Sequence, residues 1–238
     1  MTASVPQICR TVPGPGFNLT VILTKHRSPA CAGTLDGVRM LRVAVIVAVV
    51  AALALVETQT RSGVGWRLVT FTYQANILAA AYYAWTLASP RADERAGLRG
   101  AVVLYVVVAG VIWNLLLVDA SMGYTPANVL LHIVVPILAL ADWIFVGGSQ
   151  SAVRWWQPLA WLIYPSLYLG LAVVVLNDMG RRAPYYFLDT GSIGGAAVAG
   201  NVALLAVAFI GLGYLLSMVG RLSVRAGVAA GGGPGSVA

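Results

Sequence analysis

LRGAVVLYVVVAGVIWNLLL, Leu98 to Leu117, is a 20-residue run in which Arg99 is the one charged side chain. About 20 apolar residues, each rising 1.5 Å, carry an α-helix across the hydrocarbon core of a bilayer. Five further stretches share this character, near Leu41–Val56, Trp66–Ala88, Ala127–Val146, Trp155–Leu176 and Ile193–Val219. Composition agrees: 59% of the 238 residues are hydrophobic and 10% are charged, against about a quarter charged in a soluble domain. The expected fold class is all-α, a polytopic membrane protein built as a six-transmembrane-helix bundle. Residues 1–39 mix Pro, Gly, Thr and scattered charge without a period and are expected to form a disordered tail. The six-helix domain is expected over 40–221, and 222–238, with its GGGPGS, as a second tail.

The net charge of +7 does not point to nucleic acid, because no basic run interleaves with aromatics. Its distribution fits basic loops held on the cytoplasmic side. With the N-terminus inside, Arg10, Lys25, Arg27, Arg39, Arg42, Arg91, Arg95, Arg99, Arg154, Arg221 and Arg225 fall on the inner side. Arg61, Arg67, Arg181 and Arg182 fall on the outer side. Both termini are therefore expected in the cytoplasm, with the chain multi-pass in the plasma (inner) membrane. Cys9 and Cys31 have no CxxC spacing, and His26 and His132 are the only histidines. No metal site or cofactor is expected.

Polar groups within a bilayer are costly and mark function or pairing. Thr70 lies about 6 Å into the second stretch and His132 about 8 Å into the fourth, counted from the same side. Asp119 ends the third stretch in that layer and Glu57 ends the first. Thr72, Tyr73, Gln74, Asn76, Asn114, Asn128, Tyr168 and Asn201 also fall in this outer half. The inner half holds Asp142, expected to reach an interfacial arginine such as Arg154. The reading is a polar outer cavity above a greasy inner base. Gln74, Asn76, Asn114, Asp119, Asn128, Tyr168 and Asn201 are candidates to bind substrate or orient the histidine. Pro136, one turn after His132, is expected to kink its helix.

Four segments carry a resemblance to a known family. RLVTFTYQANIL (Arg67–Leu78) resembles the start of the second helix of the androgen-induced integral membrane hydrolases and their bacterial relatives, where a basic residue precedes Thr-Phe. LLHIVVPILALADWIFVG (Leu130–Gly147) is similar to the family's histidine helix. WLIYPSLYLG (Trp161–Gly170) and APYYFLDTGSIGG (Ala183–Gly195) resemble a Tyr-Pro element and a Tyr-Pro-Phe-Leu-Asp loop of the bacterial branch, with Tyr186 where that branch has Pro. The resemblance spans about Met40 to Gly220. It implies hydrolysis of fatty acid esters of hydroxy fatty acids, with Thr70 as nucleophile and His132 as base. A hydroxyl needs such a base to attack an ester carbonyl, and a histidine supplies one near neutral pH. The expected partners are the bilayer and a lipid or fatty acid ester drawn from it. The competing expectation is a non-catalytic protein that binds or transports a small lipophilic molecule with the same polar layer. It lacks the broken helix pairs of transporters.

Overall fold

The computed structural model describes residues 29–59, 67–119, 121–146, 150–175 and 185–231, and every regular element among them is helical. The principal helices are α1 (Pro29–Gln59), α2 (Phe71–Ala88), α3 (Ala96–Leu117), α4 (Pro126–Val146), α5 (Ile163–Leu169) and α6 (Gly195–Gly231). Among the described residues, four segments are long and apolar enough to cross a membrane: Asp36–Thr58 in α1, α3, α4, and Gly195–Val224 in α6. The chain thus has the helices of a polytopic membrane protein.

The two other expected spans differ in ways their residues explain. α2 has 18 residues, but Tyr73, Gln74, Asn76, Tyr82, Tyr83 and Thr86 dilute its apolar character. The fifth stretch is broken. A turn at Gln157–Ala160 precedes α5, which continues as a π-helical segment, Gly170–Val175; the expected end at Leu176 lies outside the described residues. Pro158 and Pro165 each remove a backbone donor there.

The tail boundaries also shift. α1 begins at Pro29, where a proline suits the first helical position, so helix already occupies 29–39 of the expected tail. At the other end α6 runs on to Gly231, past residue 222. Residues 1–28 and 232–238 lie outside the described residues.

α3 is the most buried of the four long apolar helices and packs against α2, α4 and α6, while α1 packs on α2 and α4. Small residues permit the close approaches, as usual between membrane helices. A Cβ at Gly100 would stand 2.5 Å from the Trp161 ring, and one at Gly220 would stand 2.8 Å from Gln150 Cβ.

The half of the bundle that holds Asp142, expected to be a greasy base, carries buried charge. Asp142 on α4 is fully buried and accepts from Arg99 Nε of α3 at 2.9 Å and from Arg42 Nε of α1 at 3.2 Å. Asp93, in the turn between α2 and α3, accepts from Arg42 Nη2 at 2.7 Å and lies 3.6 Å from Arg99 Nη1. Arg154, expected to pair with Asp142, is exposed, and its backbone N–H donates to Gln157 Oε1. Arg99 wins because it lies one helix away at Asp142's own depth, and a buried carboxylate requires a charged partner. At the opposite end Glu57 of α1 takes Arg67, with contacts of 2.9 and 3.0 Å.

Removing one member of a buried ion network leaves the others uncompensated, typically at about 3–5 kcal/mol. Asp142→Ala should therefore sharply lower the thermal denaturation temperature in detergent, and Arg154→Ala should scarcely move it. Equal losses in the two variants would contradict this assignment.

Candidate functional site

The site begins with backbone geometry. α4 starts at Pro126 after Thr125, whose hydroxyl accepts from the Asn128 N–H, a conventional N-cap. From Leu130 to Val134 the helix takes a π turn, and the Val135 N–H bonds the carbonyl of Leu130. The Leu131 carbonyl thereby loses its α-helical donor. Pro136 has no N–H to give the carbonyl of His132. Two asparagines from neighbouring helices approach these oxygens. Asn76 Nδ2 of α2 lies 3.4 Å from Leu131 O, and Asn114 Nδ2 of α3 lies 3.4 Å from His132 O. Each also donates to the carbonyl one turn back on its own helix, at Thr72 and Gly110.

His132 is buried within this π turn. Its Nδ1 stands 3.0 Å from the Asn128 carbonyl. A carbonyl can only accept, so Nδ1 carries the proton and Nε2 presents a lone pair. Facing Nε2, at 3.4 Å, is the Thr72 hydroxyl. Trp113 of α3 stacks on the imidazole with ring centroids 4.6 Å apart and 17° between planes. Trp113 Nε1 in turn donates to Ser121 at 3.2 Å.

Thr70, the threonine paired with His132 in the sequence reading, is turned elsewhere. α2 starts at Phe71, so Thr70 is its extended N-cap (φ −82°, ψ 141°), and its hydroxyl donates to Arg67 O at 2.9 Å. A helix from Trp66 would put Thr70 one turn inside, but α2 begins only at Phe71. Thr72, in the first helical turn, points toward α4 instead.

Tyr185 completes the group. Its hydroxyl lies 3.5 Å from Thr72 Oγ1 and accepts from the Thr72 N–H at 3.4 Å. That N–H is among the first-turn donors that an α-helix cannot satisfy internally. Burial raises the Tyr185 phenol above its ordinary value, while its hydrogen bonds from Thr72 act the other way. Tyr185 belongs to the loop before α6, which Asn201 holds by donating to Phe187 O at 2.9 Å.

An apolar cavity of about 130 Å³ opens beside Thr72, walled by Phe71, Leu117, Tyr168, Phe187 and Phe209 together with Tyr185. His132 does not line it and stands behind Thr72. The other sequence candidates support this arrangement or lie away from it. Gln74 is occupied, donating to Leu68 O and accepting from Tyr164 at 2.6 Å. Asn128 contributes its carbonyl, not its side chain, which donates to Gly123 O. Asp119 is exposed at the end of α3. Thr72 and Tyr185 both stood in stretches singled out by sequence. Their meeting depends on a chain reversal that local pattern does not encode. Among the described residues no three His, Cys, Asp or Glu side chains gather as a metal site. No protein-family model, curated protein or solved structure matches the chain.

Gly110 fixes the spacing of α3 and α4 at the site. A Cβ there would stand 2.6 Å from His132 O and 3.0 Å from Pro136 Cγ. Gly→Ala within a helix ordinarily stabilises by up to about 1 kcal/mol. Gly110→Ala should instead destabilise by about 1–3 kcal/mol, the usual cost of overpacking, read as a lower denaturation temperature. A rise would show that the helices are free to separate.

Proposed function

We propose that this chain is an integral membrane hydrolase that cleaves a lipid ester with a threonine hydroxyl activated by His132. The observation that supports it most is the Thr72 hydroxyl standing between His132 Nε2, at 3.4 Å, and an apolar cavity. The family resemblance implies Thr70 as nucleophile; the distances favour Thr72, two residues on. Thr72 Oγ attacks the ester carbonyl carbon as its proton passes to Nε2. The alkoxide then leaves with that proton, and water, deprotonated by the same nitrogen, releases the acid and restores the threonine. The Asn128 carbonyl holds the ring's tautomer throughout. Developing negative charge on the carbonyl oxygen is met by the Tyr185 hydroxyl and the first-turn amides of α2, where the helix dipole is positive.

In this reading α2 and the broken fifth segment complete a six-span bundle in the inner membrane, with both termini cytoplasmic. The Thr72 layer then faces the outer leaflet. Met122, in the turn after α3, and Arg91, between α2 and α3, are both exposed. Met122→Cys should react with an impermeant thiol reagent in intact cells and Arg91→Cys should not. The opposite pattern reverses the orientation.

The catalytic test uses purified protein, medium- and long-chain esters and a fluorophosphonate probe. His132→Ala should reduce turnover by about a hundredfold or more, the scale of general base catalysis. Thr72→Ala should abolish turnover and labelling, and Thr70→Ala should keep both. Loss in Thr70→Ala alone returns the nucleophile to Thr70. Wild-type turnover in folded Thr72→Ala and His132→Ala proteins would leave a non-catalytic binding protein for lipophilic molecules as the better account of the cavity.

A further inference from the structure

Packed aromatic rings floor the cavity on the side of Phe71, and that floor bears on the substrate. Phe71, next to Thr72, makes edge contacts with Phe209 (centroids 6.1 Å, 86°) and Tyr168 (5.3 Å, 63°). Behind it Tyr105 and Tyr164 pack on Phe71 and on one another, at 6.3, 5.8 and 5.1 Å. Both rings are anchored: Tyr105 donates to Trp161 O at 2.9 Å, and Tyr164 donates to Gln74. On the loop side Tyr185 and Phe187 stack at 5.4 Å and 5°. Below this aromatic floor the α1–α3–α4 interface carries Arg42, Arg99 and Asp142, a layer no hydrocarbon chain would enter. A chain that enters the bundle beside Thr72 has the space above Phe71.

That space is about 130 Å³. An apolar protein cavity of roughly 150 Å³ holds one benzene molecule, so this one holds about six carbons. We infer that the acyl group seated beside Thr72 is short, about six carbons, and that a long acyl chain is excluded; a long alcohol portion remains in the surrounding lipid. The inference rests on the hydrolase reading for its chemistry and on the aromatic floor for its chain length.

The test is a chain-length series of nitrophenyl esters from C2 to C16, measured as kcat/KM with the full chain in lipid nanodiscs. The profile should peak near C6 and fall at least about tenfold by C16, because even one methylene too many in a fitted apolar pocket costs that order. Phe209→Ala, which removes part of the wall, should move the peak to longer chains. A wild-type peak at C14–C16 would overturn the inference and leave the hydrolase reading standing. Absence of turnover with every ester would sink the hydrolase reading, while chain length would still be measurable by binding. Methyl hexanoate should then raise the denaturation temperature more than methyl palmitate at equal membrane mole fraction. Greater stabilisation by palmitate would refute the short slot in that case too.

Discussion

Backbone polar groups inside a membrane must find partners within the protein, since no water is there to serve them. At residues 130–136 of α4 this constraint shapes the neighbourhood of the site. The π turn takes the Leu131 carbonyl out of the regular ladder, and Pro136 deprives the His132 carbonyl of its donor. Asn76 and Asn114, from the helices on either side, turn their amides to those two oxygens. The altered turn is what points the imidazole between helices, with Nδ1 on its own helix and Nε2 toward α2. Gly110 lets α3 come near enough for Asn114 to reach, and Trp113, on the same helix, covers the ring. Helix packing, asparagine placement and histidine orientation are thus one solution to one accounting problem.

The two polar layers of the bundle answer the low dielectric differently. Around Asp142 acidic and basic side chains are matched in close pairs. Two carboxylates, those of Asp93 and Asp142, face the guanidinium groups of Arg42 and Arg99, and three helices are tied together. Such a cluster resists change, because taking any member away exposes an unpaired charge. Around His132 the groups are neutral and loosely spaced, with contacts of 3.4 and 3.5 Å, and an open cavity lies on one side. A neutral histidine beside a hydroxyl costs little to bury and keeps a lone pair for proton transfer. The tight layer ties three helices together; the loose one borders an open cavity.

Much of this could be read from residue order. The runs of α1, α3, α4 and α6 announce membrane helices by length alone, because the hydrocarbon thickness sets that length. Counting residues from the helix ends places Thr70 and His132 in one layer. Depth, however, is a single coordinate. Direction around a helix depends on where the helix starts, and boundaries are the least legible feature of a sequence. Starting α2 at Phe71 instead of Trp66 moves Thr70 out of the helix and hands the inward position to Thr72. The aromatic run at Tyr185–Phe187 gave no sign that its first phenol would reach back to α2. Residue order suggests Asp142 as a helix-end residue reaching an interfacial arginine such as Arg154; its burial and its partners, Arg99 and Arg42, come from the packing of α1 and α3.

Asn76 and Asn114 show why polar residues in a membrane sequence are ambiguous markers. By composition they looked like substrate ligands. Their amide hydrogens go to backbone carbonyls released by π geometry and by Pro136, so they act on the site by holding the helix that bears His132. The same holds for Asn201, which secures the loop of Tyr185, and for Asn128, whose carbonyl, not its side chain, reaches the imidazole. The polar residues that line the cavity bear only hydroxyls, Thr72, Ser166, Tyr168 and Tyr185, and the rest of the wall is apolar. A site with so few polar groups offers little to hold a charged or strongly hydrated ligand. On the proposed reading, its ligand is apolar except at one carbonyl-sized point, a form that an ester of a simple acid has.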